Sequence, residues 1–384
     1  MTPSSFFETW LSLNDSGALD KAVEKIENTT LEDVDSALLS VPVASGGFLS
    51  LISETADERI ERIETSARDL TIQRFGHTVN LYIPLYLSNC CVNNCAYCWF
   101  QKKNDMGRKT LTLDEVEAEG RRLLNEGYRN VLLVAGESKA DVPVSYIAES
   151  IKLMKKIGFV FVGIETQTFT VDEYKLLGAA GLDSVTVYQE TYDENIYRRV
   201  HPSGPKKDIK WRLDTADRVA QAGIRSIGLG VLLGLGDYRR DAVMLATHVK
   251  HMQKHYWQNS VSISFPRIHA APGRFAPDNP VSDNQLIRLI LAMRLTFPDS
   301  ILTLSTREAA KLRDRLFGAG INQVSAGSKT SPGAYAGGAG GQEEAGEQFP
   351  VSDARTPAEV VLAIREKGLE WVWKDWDTNL KPVS

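Results

Sequence analysis

The chain has 384 residues, 43% of them hydrophobic, and its 44 basic and 49 acidic side chains leave a net charge of -5. That length and apolar content suit one large α/β domain with extensions, and the mildly acidic balance gives no field that gathers nucleic acid or an anionic membrane surface. The opening MTPSSFFETWLSLNDSG has no basic residue before Lys21 and no long apolar run, which argues against a secretory or Arg-rich targeting segment. No stretch approaches the roughly 18 apolar residues that span a bilayer, so a soluble, cytoplasmic enzyme acting on small molecules is expected.

Residues 1–75 read as a helical extension, with helical spacing at 15–27, 31–39 and 48–70, suited to cap or strap a larger domain. From about residue 78 short apolar runs alternate with longer amphipathic segments. The runs at 79–87, 130–135, 159–165, 183–188, 225–232, 260–265, 300–305 and 321–325 are expected strands. Helical patterns fall between them at 113–127, 142–157, 171–180, 206–223, 238–256, 282–297 and 307–318, with a last one near 357–367. Eight strand–helix repeats predict an α/β fold, a (β/α)8 TIM-type barrel over 76–330 with its chemistry at the C-terminal ends of the strands. An open doubly wound sheet is the alternative. Residues 331–384 form a C-terminal extension, in which the glycine-rich 333–346 is expected to be a loop, either a lid or a plain connection.

All four cysteines lie between Cys90 and Cys98, which is the pattern of one local metal site and not of a disulfide framework. Cys91-Val-Asn-Asn-Cys95-Ala-Tyr97-Cys98 comes after the first expected strand with C-x3-C-x2-C spacing. Three thiolates on one short loop suit three irons of a cubane, leaving the fourth iron open to a second ligand. A zinc site with Cys90 as fourth ligand competes, although adjacent cysteines suit tetrahedral zinc poorly. Otherwise Cys90 is a small core residue.

This spacing, after a first barrel strand, resembles the radical S-adenosylmethionine superfamily, which implies a [4Fe-4S] cluster on Cys91, Cys95 and Cys98 and S-adenosyl-L-methionine on the open iron. The segments PLYLSN, AYCWF, LVAGES, YQETYDENIY, WRLDTADR, GLGVLLGL, SFPR, LSTRE, VSAGSKT and VWKDWD occur in order from about residue 76 to the end. Together they resemble the 2-iminoacetate synthase family, the tyrosine lyases of thiamine biosynthesis. The resemblance implies cleavage of the Cα–Cβ bond of L-tyrosine to p-cresol and 2-iminoacetate, docking to thiazole synthase, and an electron donor such as flavodoxin or ferredoxin. His201-Pro-Ser-Gly-Pro205-Lys206 resembles the tyrosine lyase that matures [FeFe] hydrogenase, but that family carries a second cluster on C-terminal cysteines and no cysteine comes after Cys98 here. A tryptophan lyase is disfavoured by the tail Val372-Trp373-Lys374-Asp375-Trp376-Asp377. A non-catalytic iron-sulfur or zinc protein is the reading from another class.

Candidate site residues follow from the resemblance and from side chains at the strand ends. Tyr97, before the third cysteine, and Gly136-Glu137, after the second strand, belong to the cofactor site, with the Glu137 carboxyl and nearby backbone holding the ammonium of S-adenosylmethionine. Glu190 suits its ribose hydroxyls, and Arg198 or Arg212 its carboxylate, although arginines beside acidic helices are often surface ion pairs. Tyr86 is placed to meet the amino-acid head group or the nucleoside. Arg307 offers a guanidinium fork for the tyrosine carboxylate, Ser325 a partner for its amino group, and Arg267 a further pocket wall. The family has a second arginine where His269 stands. Gly228-x-Gly230-x3-Gly234 lacks the G-x-G-x-x-G spacing of a phosphate loop and suits close backbone packing.

Overall fold

The computed structural model describes residues 5–270, 273–337 and 346–373. Eight parallel strands, β1 (Thr78–Ser88), β2 (Asn130–Ala135), β3 (Phe161–Glu165), β4 (Ser184–Glu190), β5 (Ser226–Val231), β6 (Ser260–Ser264), β7 (Ile301–Leu304) and β8 (Gln323–Ser325), pair in chain order. The sheet closes because β1 pairs with both β2 and β8. This is the (β/α)8 barrel, and the open sheet is excluded. A short strand β9 (Glu370–Val372) adds to the first residues of β1; its three residues are too few for a periodicity argument.

Helices coat the barrel: α6 (Leu113–Asn125), α7 (Val144–Ile157), α8 (Val171–Ala179), α9 (Glu194–Val200), α10 (Ile209–Leu213), α11 (Thr215–Gln221), α12 (Tyr238–His255), α13 (Asp283–Thr296), α14 (Ala310–Leu316) and α15 (Pro357–Glu366). Several begin with reciprocal caps written in the sequence, Thr112 with Glu115, Thr170 with Glu173, Ser282 with Gln285 and Thr356 with Glu359, each satisfying two otherwise orphaned amides. The helix expected at 206–223 is broken instead. A single 3-10 turn, Pro205–Lys207, precedes α10, because the Asp208 carboxylate accepts the Trp211 amide (2.9 Å) and starts a new helix there.

The N-terminal helices, α1 (Phe6–Asp15), α2 (Ala18–Glu27), α3 (Leu31–Ala37), α4 (Ser45–Leu51) and α5 (Ile60–Phe75), lie on the outer face of the barrel. The Val43 amide donates to Leu295 O (2.8 Å) at the end of α13, and Trp10 Nε1 to Tyr192 O (2.9 Å). Phe6 stacks on His248 with centroids 3.7 Å apart. Inside the barrel, a Cβ at Gly228 would meet Thr186 Oγ1 at 2.7 Å and one at Gly230 would meet Ser264 O at 2.7 Å, so these glycines serve close packing. Among the described residues no helix is long and apolar enough to cross a membrane. Residues 338–345 of the glycine-rich segment and 374–384 of the tail lie outside the described residues.

Candidate active site

The loop after β1 crosses the C-terminal mouth of the barrel. Its shape is set by hydrogen bonds to its surroundings, Val92 N to Glu137 O (2.9 Å) and Ala96 N to Val200 O (2.9 Å), and by a turn within the loop, Cys98 N to Cys95 O (3.1 Å). Asn93 is the hub. Its Nδ2 donates to Glu137 Oε2 (2.8 Å), and its Oδ1 accepts the Lys206 amide (3.0 Å). Two glycines let this loop approach: a Cβ at Gly136 would lie 2.3 Å from Cys90 O, and one at Gly204, where φ is +92°, would lie 2.2 Å from Asn93 Oδ1. The result places Cys91, Cys95 and Cys98 on the wall of one cavity. Cys90 is not on that wall; its thiol accepts the Thr110 hydroxyl (3.7 Å).

Burial pushes the thiols of Cys91, Cys95 and Cys98 above the usual cysteine range, so a bound cation is what makes all three thiolates. Among the described residues no three Cys, His or carboxylate groups converge on a single ion. Three free thiols on one cavity wall offer one thiolate to each of three irons, which fits a polynuclear cluster. Asn93 Nδ2 (3.9 Å from Cys91 Sγ) and Gln348 Nε2 (3.7 Å from Cys98 Sγ) point amide donors at two of the sulfurs.

Two buried ion pairs flank the cysteines. Arg212 gives Nε and Nη2 to Tyr188 O (3.0 and 2.9 Å) and Nη1 to Glu137 (3.3 Å). Lys206 Nζ lies 2.6 Å from Glu190. Burial opposes the charge on Glu190, yet Lys206 and Arg212 hold its carboxyl below the usual range. Burial likewise opposes the Lys206 ammonium, and the surrounding negative groups, Glu190 foremost, outweigh it. Glu190 has φ +72°, the one positive value outside glycine among the described residues, at a bulge in the β4–β5 pairing. Such strain in a non-glycine residue marks a side chain re-aimed by its surroundings. Tyr97 donates its hydroxyl to His201 Nε2 (2.8 Å), because His201 Nδ1 donates to Tyr197 O (2.8 Å).

Deeper in the mouth, the Arg307 guanidinium lies 3.4 Å over the Phe349 ring. It lines the cysteine cavity, and among the described residues no carboxylate pairs with it. Tyr86 donates its hydroxyl to Gln348 Oε1 (2.7 Å) and packs edge-on against Phe100. Ser325, 1% exposed, accepts the Thr306 amide (3.2 Å) in an adjoining pocket that Tyr86 and Arg307 also line. Arg267 reaches the cavity wall, but its guanidinium is bound to Glu308, Asp283 (2.8 Å) and Val281 O (2.8 Å). His269 Nε2 shares Glu308 (3.1 Å), so the histidine serves the same buried carboxylate. Arg198 and Arg212 are placed differently. The Arg198 side chain is 70% exposed on α9, paired with Glu194 one turn away, whereas Arg212 lines the cavity wall.

Residues 85–248 match the Radical SAM superfamily and residues 264–370 the Biotin and Thiamin Synthesis associated domain. The chain is 42% identical to 2-iminoacetate synthase of Salmonella typhimurium over 94% of both chains. It belongs to the 2-iminoacetate synthase family. The 2-iminoacetate synthase of Escherichia coli is 41% identical over 99% of both chains. Among solved structures, HydG, a maturase of the [FeFe]-hydrogenase, superimposes with a TM-score of 0.87 at 31% identity, covering 94% of this chain and 81% of its own. Within this 2-iminoacetate synthase family member, Glu165, Asn93 and Gln348 line the cavity without having stood out in the sequence, and His201 and Lys206 stand out there only as part of a loop. Glu165 ends β3 at the mouth, where the barrel rule points, but at the close of FVFVGIE it reads as the last residue of a strand.

Proposed function

We propose that the chain cleaves the Cα–Cβ bond of L-tyrosine to p-cresol and 2-iminoacetate for the thiazole moiety of thiamine. The observation that carries this is the Arg307 guanidinium, without a carboxylate partner among the described residues, on the wall of the cavity that holds the three cysteines. When bound, the [4Fe-4S] cluster and S-adenosylmethionine supply the 5′-deoxyadenosyl radical that takes hydrogen from the substrate.

The protein's part is positioning. Cys91, Cys95 and Cys98 hold the cluster. Glu137, paired with Arg212, and the Gly136 backbone receive the cofactor ammonium, while Arg212 receives its carboxylate. Glu190 takes the ribose hydroxyls, and Tyr97, fixed by His201, walls the nucleoside. Arg307 grips the tyrosine carboxylate in two hydrogen bonds, with Ser325 and Tyr86 at the amino group and Arg267 shaping the wall. Because a primary carbon radical attacks any C–H in reach, this fixed geometry decides which hydrogen is lost. Thiazole synthase as acceptor of the labile imine, a flavodoxin or ferredoxin as electron source and a cytoplasmic setting complete the proposal. Anaerobic reconstitution followed by reductant, S-adenosylmethionine and either tyrosine or tryptophan tests it: cresol from tyrosine, and no skatole or methylindole acid from tryptophan, is expected. 5′-Deoxyadenosine formation indifferent to tyrosine contradicts it.

A further inference from the structure

Three carboxylates at the mouth have cationic partners: Glu137 with Arg212, Glu190 with Lys206, and Glu308 with Arg267. Glu165 does not. It lines both the cysteine cavity and the adjoining pocket of Arg307 and Ser325, and among the described residues no hydrogen bond or ion pair reaches its carboxyl. It stands level with Tyr86 through Val134 in the strand register. A carboxyl left bare in a largely desolvated pocket is costly unless a ligand completes it.

Resting on the tyrosine-lyase reading, we propose that Glu165 accepts the phenolic O–H of the substrate and so selects tyrosine over phenylalanine. The barrel topology gives the direction. Glu165 ends β3 and Arg307 comes just after β7, four strands apart in an eight-stranded ring and therefore on opposite walls. In an amino acid the ammonium sits beside the carboxylate, so a head group held at Arg307 stays on the β7 and β8 side, next to Ser325. The far end of the side chain then points to β3. Between the two walls Pro84, Leu132, Val134, Phe265 and Pro266 form an apolar slot of the kind an aromatic ring fills. Phenylalanine would fill the same slot and leave the Glu165 carboxyl unpaired, which is how a pocket rejects an analogue that lacks one hydroxyl. Burial raises Glu165 to about 7 against the opposing charge of Arg307 across the pocket, and the carboxyl has an acceptor oxygen in either protonation state.

The test measures dissociation constants for L-tyrosine and L-phenylalanine on reconstituted protein with S-adenosylmethionine and no reductant, so that no turnover occurs. Wild type is expected to prefer tyrosine. Glu165→Leu is expected to weaken tyrosine by roughly 10- to 100-fold, the cost of leaving the buried phenolic hydroxyl without its partner, and to leave phenylalanine unchanged or tighter. Glu165→Gln, isosteric and still an acceptor, is expected to keep part of the preference and serves if the leucine variant does not fold. Equal weakening of both amino acids in either variant would place Glu165 at the ammonium or in the fold, and an undiminished preference for tyrosine would remove it from the site; both overturn the assignment. A wild type that binds neither amino acid, or yields no cresol on reduction, counts instead against the tyrosine-lyase reading itself.

Discussion

Replacing Gly136 by alanine puts a methyl group where the backbone of the cysteine loop already lies. The added Cβ would sit 2.3 Å from Cys90 O, 2.9 Å from Cys90 C and 3.1 Å from Cys91 Cβ. Ordinary contact requires the loop to retreat by about 1 Å. The loop cannot do so cheaply: the Cys90 amide is held by Ser88 Oγ (3.1 Å), the Val92 amide by Glu137 O (2.9 Å) and the Gly136 amide by Ser88 O (3.0 Å). Overpacking against backbone costs about 1–3 kcal/mol, and the relief falls on Cys91, whose Cβ is one of the three atoms struck. The expected result is a folded protein with a lower melting temperature and a clear deficit of iron and sulfide after anaerobic reconstitution. Full cluster content with an unchanged melting temperature would show that the loop has room to move and that Gly136 is not what sets its position.

Arg307→Ala should uncouple the reaction, with cresol falling by at least roughly tenfold while abortive 5′-deoxyadenosine rises per cresol formed; full cresol yield without that excess counts against the carboxylate grip. Lys206→Met leaves Glu190 buried without its cation, and breaking such a pair costs about 3–5 kcal/mol; urea denaturation should show the loss, and adding Glu190→Gln should recover much of it. His248, buried against Phe6, is held neutral with its pKa lowered by burial from 6.5 to about 3. The unfolded chain therefore gains this proton below 6.5 and the folded one does not, so stability present above 6.5 is lost as pH falls towards 3, at about 1.4 kcal/mol per unit. The stability difference between wild type and His248→Asn should shrink on that descent; parallel pH profiles would contradict it.

The barrel was legible because most strands are apolar or alternating runs separated by helices, several of which carry caps that are local motifs. The cysteine site was legible because its spacing is. Less was visible wherever long-range packing decides. α1 is placed by Phe6 and Trp10 reaching His248 and Tyr192, contacts more than 180 residues apart, and no local pattern announces them. Arg198 and Arg212 look alike in sequence; α9 turns one to solvent, and the Tyr188 carbonyl draws the other inside. Gln348 lies beyond the glycine-rich segment, 250 positions from the Cys98 sulfur it approaches. Glu165 shows its meaning only once the other mouth carboxylates are seen to be paired.

Scission of the Cα–Cβ bond of tyrosine in this pocket is tested most directly with tyrosine carrying carbon-13 at Cα alone or at Cβ alone, using mass spectrometry of the anaerobic products. Label from Cβ is expected in the methyl group of p-cresol, and label from Cα in glyoxylate, the hydrolysis product of 2-iminoacetate. Both labels in one product, or 5′-deoxyadenosine with neither labelled product, would contradict cleavage of that bond.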